Sequence, residues 1–344
     1  ISAYGIWIAE IMLQQTQLKV VLPYWKRWMN TFPSLLDLAS SEQQEVLLHW
    51  QGLGYYSRAR MLHNSSKILI DVIGSKDSLE AYCWPKQLED WIKLPGVGRS
   101  TAGSIISSAF DLPTPLLDGN LKRVFSRLIA SKIPPNKNES KLWQFSYNLL
   151  DQKYPRKFNQ ALMDLGSTVC TYRNPKCSIC PITKHCFAFS SYDPKDFPVK
   201  ELKKSSPLYS IGIGILINEL GEILIAKRLA NKNMGGLWEF PGGKKENNES
   251  IEITITREFK EELDIEIELS DKLIEFYHSY SHKKLHFVVY ICKLNSGKPK
   301  PLASEQILWV FPSELNKYPF PAANIKIISA LTTYLGLENI KTSE

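Results

Sequence analysis

The sequence predicts a multidomain protein, an all-helical α domain followed by an α+β domain, and three observations carry that reading. Apolar residues recur at three- and four-residue spacing from Trp7 to about Phe187, as core-facing helices require. Between Ser190 and Ser206 the text turns to SYDPKDFPVKELKKSS, rich in proline, lysine and serine and without periodicity, as an exposed linker reads. Beyond it, YSIGIGILIN and EILIAKR flank a turn of Glu219, Leu220 and Gly221, as strands do. The domains are therefore placed at 1–187 and 208–340, with a linker over 188–207.

The helical stretches expected in order are EIMLQQTQLKVVLPYWKRW, QQEVLLHWQGL, RARMLHNSSKILIDVI and ESKLWQFSYNLL; HFVVYICKL and ILWVF add strands to the second domain. A chain of 344 residues is long enough for two cores at roughly 150 residues per domain. With 44% hydrophobic and 22% charged residues it is neither disordered nor rich in apolar runs near the ~18 residues a spanning helix needs, so no membrane role is expected. The opening ISAYGIWIAE holds a carboxylate where a signal peptide would be apolar and does not begin with Met; no targeting segment is expected, and the first residues read as missing.

The net charge is +7, and the basic surplus lies before residue 191, where 22 lysines and arginines face 14 acidic residues. A polyanion is the expected partner of that part, because phosphate neutralisation dominates nucleic-acid affinity; lysines kept for solubility are the alternative. Four of the six cysteines fall in one window, Cys170-x6-Cys177-x2-Cys180-x5-Cys186, while Cys83 and Cys292 stand alone and read as core residues. A disulfide framework does not suit so cysteine-poor a chain. Zinc usually asks for two close Cys-x2-Cys knuckles and only one is present, so an iron-sulfur cluster on four thiolates fits the spacing better.

LEDWIKLPGVGRSTAGSIISSAF places Leu94-Pro95-Gly96-Val97-Gly98 between two helical stretches. Its glycines allow close approach to a ligand, and the free amides of the following helix suit a phosphate oxygen, although an ordinary connector has the same text. Twenty residues on, Asp118 follows an apolar Pro-Leu-Leu run and is either a helix N-cap or a working carboxylate. Glu10 is alone in IWIAEIMLQQT; a carboxylate among apolar neighbours has a raised pKa, as a general acid needs.

Taken together, IWIAEIMLQQT, GLGYYSRAR, LPGVGRSTAG, LLDGNLKRV, FNQALMDLG and the four-cysteine loop resemble the helix-hairpin-helix DNA glycosylases with an iron-sulfur cluster, specifically the MutY-type adenine DNA glycosylases. The resemblance covers residues 1–187. It implies a 4Fe-4S cluster on Cys170, Cys177, Cys180 and Cys186, double-stranded DNA containing adenine opposite 8-oxoguanine or guanine as partner, and excision of that adenine after it is flipped from the duplex. By the same resemblance Glu10 would protonate the base and Asp118, assisted by Asn120, would stabilise the cationic sugar. Gln15 and Thr16 would sit at the lesion, Leu53 and Tyr55 would fill the gap in the stack, and Gly96, Gly98, Ser100 and Lys122 would meet DNA. Bifunctional relatives carry a nucleophilic lysine at the position of Ser100, so a monofunctional enzyme is expected. Location follows the substrate: cytoplasm and nucleoid in a bacterium, organelle or nucleus in a eukaryote, as a monomer and not secreted.

The segment from Gly243, with Glu249, Arg257, Glu258, Glu261 and Glu262, resembles the Nudix box of MutT-type pyrophosphohydrolases, which implies an α/β/α sandwich. On a helix the last three carboxylates share one face, where they would hold magnesium, while Ile251, Ile255, Phe259 and Leu263 form a buried stripe. IEITIT alone reads as a strand; the motif favours a helix. Asp264 replaces the motif glycine at a helix end that favours a left-handed residue. The resemblance to adenine glycosylases implies that this domain would read 8-oxoguanine through Tyr280, Ser281 and His282, and PFPAANIKI resembles the MutT segment whose asparagine contacts 8-oxoguanine, which makes Asn324 a further candidate. A Nudix hydrolase of oxidised nucleotides fused to a DNA-binding module, and a non-catalytic lesion binder, are the rival readings.

Overall fold

The computed structural model describes residues 1–73, 84–201, 207–280 and 283–337. They form two compact units, the first of residues 1–40 and 61–203, the second of residues 41–60 and 204–344. Among the described residues no helix is long and apolar enough to cross a membrane.

The first unit is helical. It holds α1 (Ala3–Leu13), α2 (Leu18–Thr31), α3 (Leu35–Ser40), most of α5 (Ser57–Ile73), α6 (Leu88–Ile92), α7 (Arg99–Phe110), α8 (Gly119–Leu128), α9 (Glu139–Leu149), α10 (Pro155–Asp164) and α11 (Phe187–Ser191); α4 (Gln43–Trp50) belongs to the second unit. The single helical stretch expected from EIMLQQTQLKVVLPYWKRW is two helices, broken at Gln15, whose φ of 58° no α-helix accommodates. Trp7, Ile8, Ile11 and Met12 bury one flank of α1, and it packs on α7. Gly103 of α7 lies against the segment that leads to α8, since a Cβ there would overlap the Pro115 carbonyl.

The second unit has two sheets. Strands β1 (Leu208–Leu216), β4 (Gly242–Lys244), β5 (Glu266–Tyr280) and β6 (Lys283–Ser296) form the order β4-β1-β6-β5; β2 (Ile223–Arg228), β3 (Trp238–Glu239) and β7 (Ser304–Val310) form β3-β2-β7. Helices α12 (Ile251–Leu263) and α13 (Ala322–Tyr334) complete the unit. The sandwich has two cores: Ile213, Ile225, Phe287 and Val289 pack with Ile327 and Leu331, and Leu216 and Leu224 pack with Ile255, Phe259 and Leu263. The IEITIT segment is helical because its Ser250 N-cap accepts from Ile253 N and its apolar stripe covers the sheet. Asp264 ends this helix at φ 57°, held by Lys260 and Lys300 at 3.1 and 3.0 Å.

Residues 41–60, grouped with the helical domain by sequence, pack in the second unit. The cause is polar: Gln44 donates to the Gly236 carbonyl at 2.8 Å and accepts from Trp238 Nε1 at 3.0 Å, and Arg60 donates to the Gly235 and Ala230 carbonyls. No local pattern in QQEVLLHWQGL carries that information.

Candidate functional site: a buried acid beside a helix-capping carboxylate

Glu10 projects from α1 into a cavity of about 660 Å³. The walls are mostly apolar, including Ile6, Leu18, Leu22 and Trp25, with Arg156, Gln160 and Asp164 of α10 as polar edges. Burial pushes the Glu10 carboxyl up to about 7; the Asp118 charge pushes the same way, and the Ser104 hydroxyl opposes. Glu10 and Asp118 therefore lie close enough to sense each other, although Asp118 does not line the cavity itself. Asp118 is the N-cap of α8: its Oδ1 accepts from Leu121 N at 2.7 Å and its Oδ2 from Asn120 Nδ2 at 3.3 Å. Capping and chemistry are compatible here, because an ionised carboxylate has about four acceptor sites and the cap occupies two.

The glycine hairpin lies between α6 and α7. Gly96 has a φ of 78°, and Gly98 is the N-cap of α7 without a side-chain cap, which leaves the first amides of a twelve-residue helix open to an anion. Gln14, not singled out by the sequence, ties this hairpin to α1: its Nε2 donates to the Gly96 carbonyl and to Thr101 Oγ1, both at 3.1 Å. Ser100 Oγ accepts from Leu117 N at 3.1 Å and so fixes the approach to Asp118. Lys122 pairs with Glu139 at 3.1 Å. Gln15 is exposed at the break after α1, and Thr16 Oγ1 reaches the Gln14 carbonyl at 3.4 Å.

Cys170, Cys177, Cys180 and Cys186 line one small cavity with Arg127, Val169 and Pro194. None of the four is in a disulfide. Burial, then the other three cysteines, raise the Cys177 thiol. Among the described residues no group of three or more His, Cys, Asp or Glu side chains could hold a single metal ion. An iron-sulfur cluster differs from such a site, because its thiolates bind separate irons of one bulky group, and four convergent cysteines fit that donor set. Two arginines of α8 hold the loop. Arg127, 1% exposed, donates to the Cys170, Thr171 and Tyr172 carbonyls and to Cys170 Sγ at 3.2 Å. Arg123 donates to the Cys170 and Gly166 carbonyls and to Asn120. Neither arginine stands out in LLDGNLKRVFSRL; a buried guanidinium shows itself only by its acceptors.

In the second unit, Leu53 is buried at 6% exposure, whereas Tyr55 is 44% exposed and sits at φ 47°. Only Tyr55 of this pair presents its ring at the surface. Tyr280 ends β5, half-buried and edge-on to His278 at 4.7 Å; Ser281 and His282 lie outside the described residues. The three Nudix carboxylates do not converge as expected. Glu261 is 59% exposed and pairs with Arg257, while Glu262 turns inward toward Glu239 and Glu258. Burial and those two neighbours push Glu262 up to about 7. Helical rotation separates adjacent residues by about 100°, so Glu261 and Glu262 serve different faces. Arg257 also engages Glu249 and Glu258 at 3.0 Å. Asn324 is buried at 6% exposure on α13.

The model of the HhH-GPD superfamily of base excision DNA repair proteins matches residues 8–146, and that of the NUDIX domain matches residues 212–330. An adenine DNA glycosylase of Buchnera aphidicola subsp. Acyrthosiphon pisum is 35% identical over 295 residues, covering 85% of this chain and 80% of the relative. Another, of Buchnera aphidicola subsp. Schizaphis graminum, is 34% identical over 311 residues, covering 90% and 85%. The adenine DNA glycosylase of Homo sapiens is 31% identical over 377 residues, covering 94% of this chain and 67% of its own length.

Proposed function

Because the chain belongs to the adenine DNA glycosylase family, we propose that it hydrolyses the N-glycosidic bond of adenine mispaired with 8-oxoguanine or guanine in double-stranded DNA, a step of base excision repair. The observation that carries this reading is the pairing of a cavity-lining acid, Glu10, with the nearby Asp118. A cavity of about 660 Å³ is ample for a flipped purine. With a carboxyl pKa of about 7, Glu10 is substantially protonated at neutral pH. It gives that proton to a ring nitrogen as the bond from the sugar C1′ to the base breaks and its electron pair leaves with adenine. The Asp118 carboxylate opposes the positive charge left on the sugar until water attacks C1′.

Ser100 offers a hydroxyl already bonded to Leu117 N and no amine, so the reaction ends at the abasic site. Gly96, Gly98 and the open amides of α7 hold a backbone phosphate. Tyr55 fills the space left by the flipped base, and the edge at Tyr280 reads the 8-oxoguanine. Cys170, Cys177, Cys180 and Cys186 would hold a 4Fe-4S cluster, which when bound cross-links the loop that Arg123 and Arg127 fasten to α8.

The test is single-turnover excision from a duplex with adenine opposite 8-oxoguanine, with alkali to reveal the abasic site. Glu10→Gln and Asp118→Asn should each abolish release while duplex binding survives. Full activity in either variant would remove this assignment.

A further inference from the structure

The loop that presents Tyr55 bonds directly to the main chain of a core residue of the strand-rich unit, Phe320. Phe320 is fully buried and stacks on Phe240 at 5.5 Å. Its main chain is held at both ends by the segment around the loop: Phe320 N donates to Gln51 Oε1 at 3.0 Å, and its carbonyl accepts from Tyr56 Oη at 3.0 Å. The Tyr56 hydroxyl also accepts from Gly52 N at 3.3 Å, so a single phenol joins the base of the loop to the Phe320 backbone. Within the loop, Trp50 Nε1 donates to the Gly54 carbonyl at 3.0 Å, and Arg58 donates to the Leu53 and Gly54 carbonyls. Arg58 lies over the Trp50 and Tyr55 rings at 5.2 and 5.4 Å. A left-handed Tyr55 persists only where its surroundings over-determine it, and this set of bonds does so.

We propose that Gln51 and Tyr56 are positioning residues: they clamp the Phe320 main chain so that Tyr55 is presented to DNA by the same compact unit that carries the Tyr280 edge. Engagement of that edge by the opposite base then sets how Tyr55 enters the stack, which couples the identity of the opposite base to extrusion of adenine. The partner strand is thereby read before the base is committed to the acid. This inference rests on the glycosylase reading above and extends it to the origin of mispair preference.

Two variants, Tyr56→Phe and Gln51→Ala, test it in the full chain. Amide hydrogen exchange over residues 52–55 should quicken about fivefold or more in both, as the loss of a hydrogen bond near a loop requires. Single-turnover excision opposite 8-oxoguanine should fall about fivefold to tenfold, with excision opposite guanine changed less and duplex affinity held within about twofold. Tyr55→Ala should reproduce that loss, and the Tyr55→Ala/Tyr56→Phe double variant should be no slower than Tyr55→Ala alone, because Tyr56 acts only through Tyr55. Gln51→Ala removes one bond of the same clamp and serves as the measure should Tyr56→Phe fold poorly. Unchanged exchange in Gln51→Ala, or rate losses that multiply in the double variant, would overturn the clamp. If the unaltered protein releases adenine from neither duplex, the glycosylase reading fails and the exchange measurement alone still decides whether the clamp exists.

Discussion

Arg123 donates from Nη2 to Asn120 Oδ1 at 2.9 Å and, from Nε, to the Cys170 carbonyl at 2.8 Å. One guanidinium, 9% exposed, thus joins the side chain that bonds Asp118 to the loop that carries the four cysteines. The fork geometry matters, because an ammonium has neither the reach nor the planar array to meet both acceptors. Arg123→Lys should slow excision about tenfold without weakening duplex binding. It should also hasten the loss, under a chelator, of the visible absorbance of the 4Fe-4S cluster proposed for that loop. Single-turnover rates and absorbance decay measured on one preparation check both halves, and wild-type behaviour in either breaks the link.

The raised Glu10 carboxyl sets a pH dependence for rate and another for stability. Excision should decline as pH rises through about 7, where Glu10 loses its proton; single-turnover rates across that range read the limb. For stability, the folded pKa lies above the unfolded value of 4.5, so the folded state binds the extra proton between them. The favourable contribution is present below about 4.5 and is lost as pH climbs to about 7. Glu10→Gln should therefore be inactive yet more stable than the parent at pH 8, by at most roughly 3 kcal/mol, with the difference shrinking in acid. Denaturant titrations at the two ends of that range measure it; a less stable variant at pH 8 contradicts the burial argument.

Gln14 ties the end of α1 to the hairpin and bridges two partners, the Gly96 carbonyl and the Thr101 hydroxyl. Replacing it with leucine leaves the Gly96 carbonyl and the Thr101 hydroxyl to find water, at a cost of about 1–3 kcal/mol. The expected outcome for Gln14→Leu is a duplex affinity lowered about tenfold, because the amides at the start of α7 are no longer held in place. Fluorescence anisotropy with labelled duplex reads this. An unaltered affinity with a lowered melting temperature would make Gln14 a structural residue only.

In the strand-rich unit, Glu239, Glu258 and Glu262 all have carboxyls raised by burial. Glu262→Gln should stabilise that unit above pH 7 by relieving like-charge contact, again with the gain vanishing in acid. Magnesium should leave the melting temperature of the parent protein unchanged, since Arg257 engages Glu249, Glu258 and Glu261. A magnesium-dependent rise that disappears in Glu262→Gln would instead assign a divalent cation to these carboxylates.

Much of this molecule is legible without coordinates where a residue breaks a local rule. A lone carboxylate in IWIAEIMLQQT, an aspartate after an apolar run and four cysteines in seventeen residues each stand out against their surroundings. Other features hide. The fifteen-residue strand β5 escapes notice because its register shifts twice between Leu269 and Ile274, which breaks the alternation that marks a strand. The break at Gln15 is invisible because glutamine has no preference for a positive φ.

The amino-acid order by itself determined the helical domain followed by an α+β domain and the helix of the Nudix box, and it singled out Glu10, Asp118 and the four cysteines as candidates, because periodicity and misplaced polarity are properties of short windows. Only the tertiary structure decided that residues 41–60 join the strand-rich unit, that Glu261 turns away from Glu262's inward face, and that Gln14 meets the Gly96 carbonyl, Arg123 meets Asn120 and Tyr56 meets the Phe320 carbonyl. These depend on hydrogen bonds such as Tyr56 to Phe320, whose partners are 264 residues apart. A donor's need for an acceptor is written in every polar side chain, but which acceptor it meets is settled when the chain closes on itself.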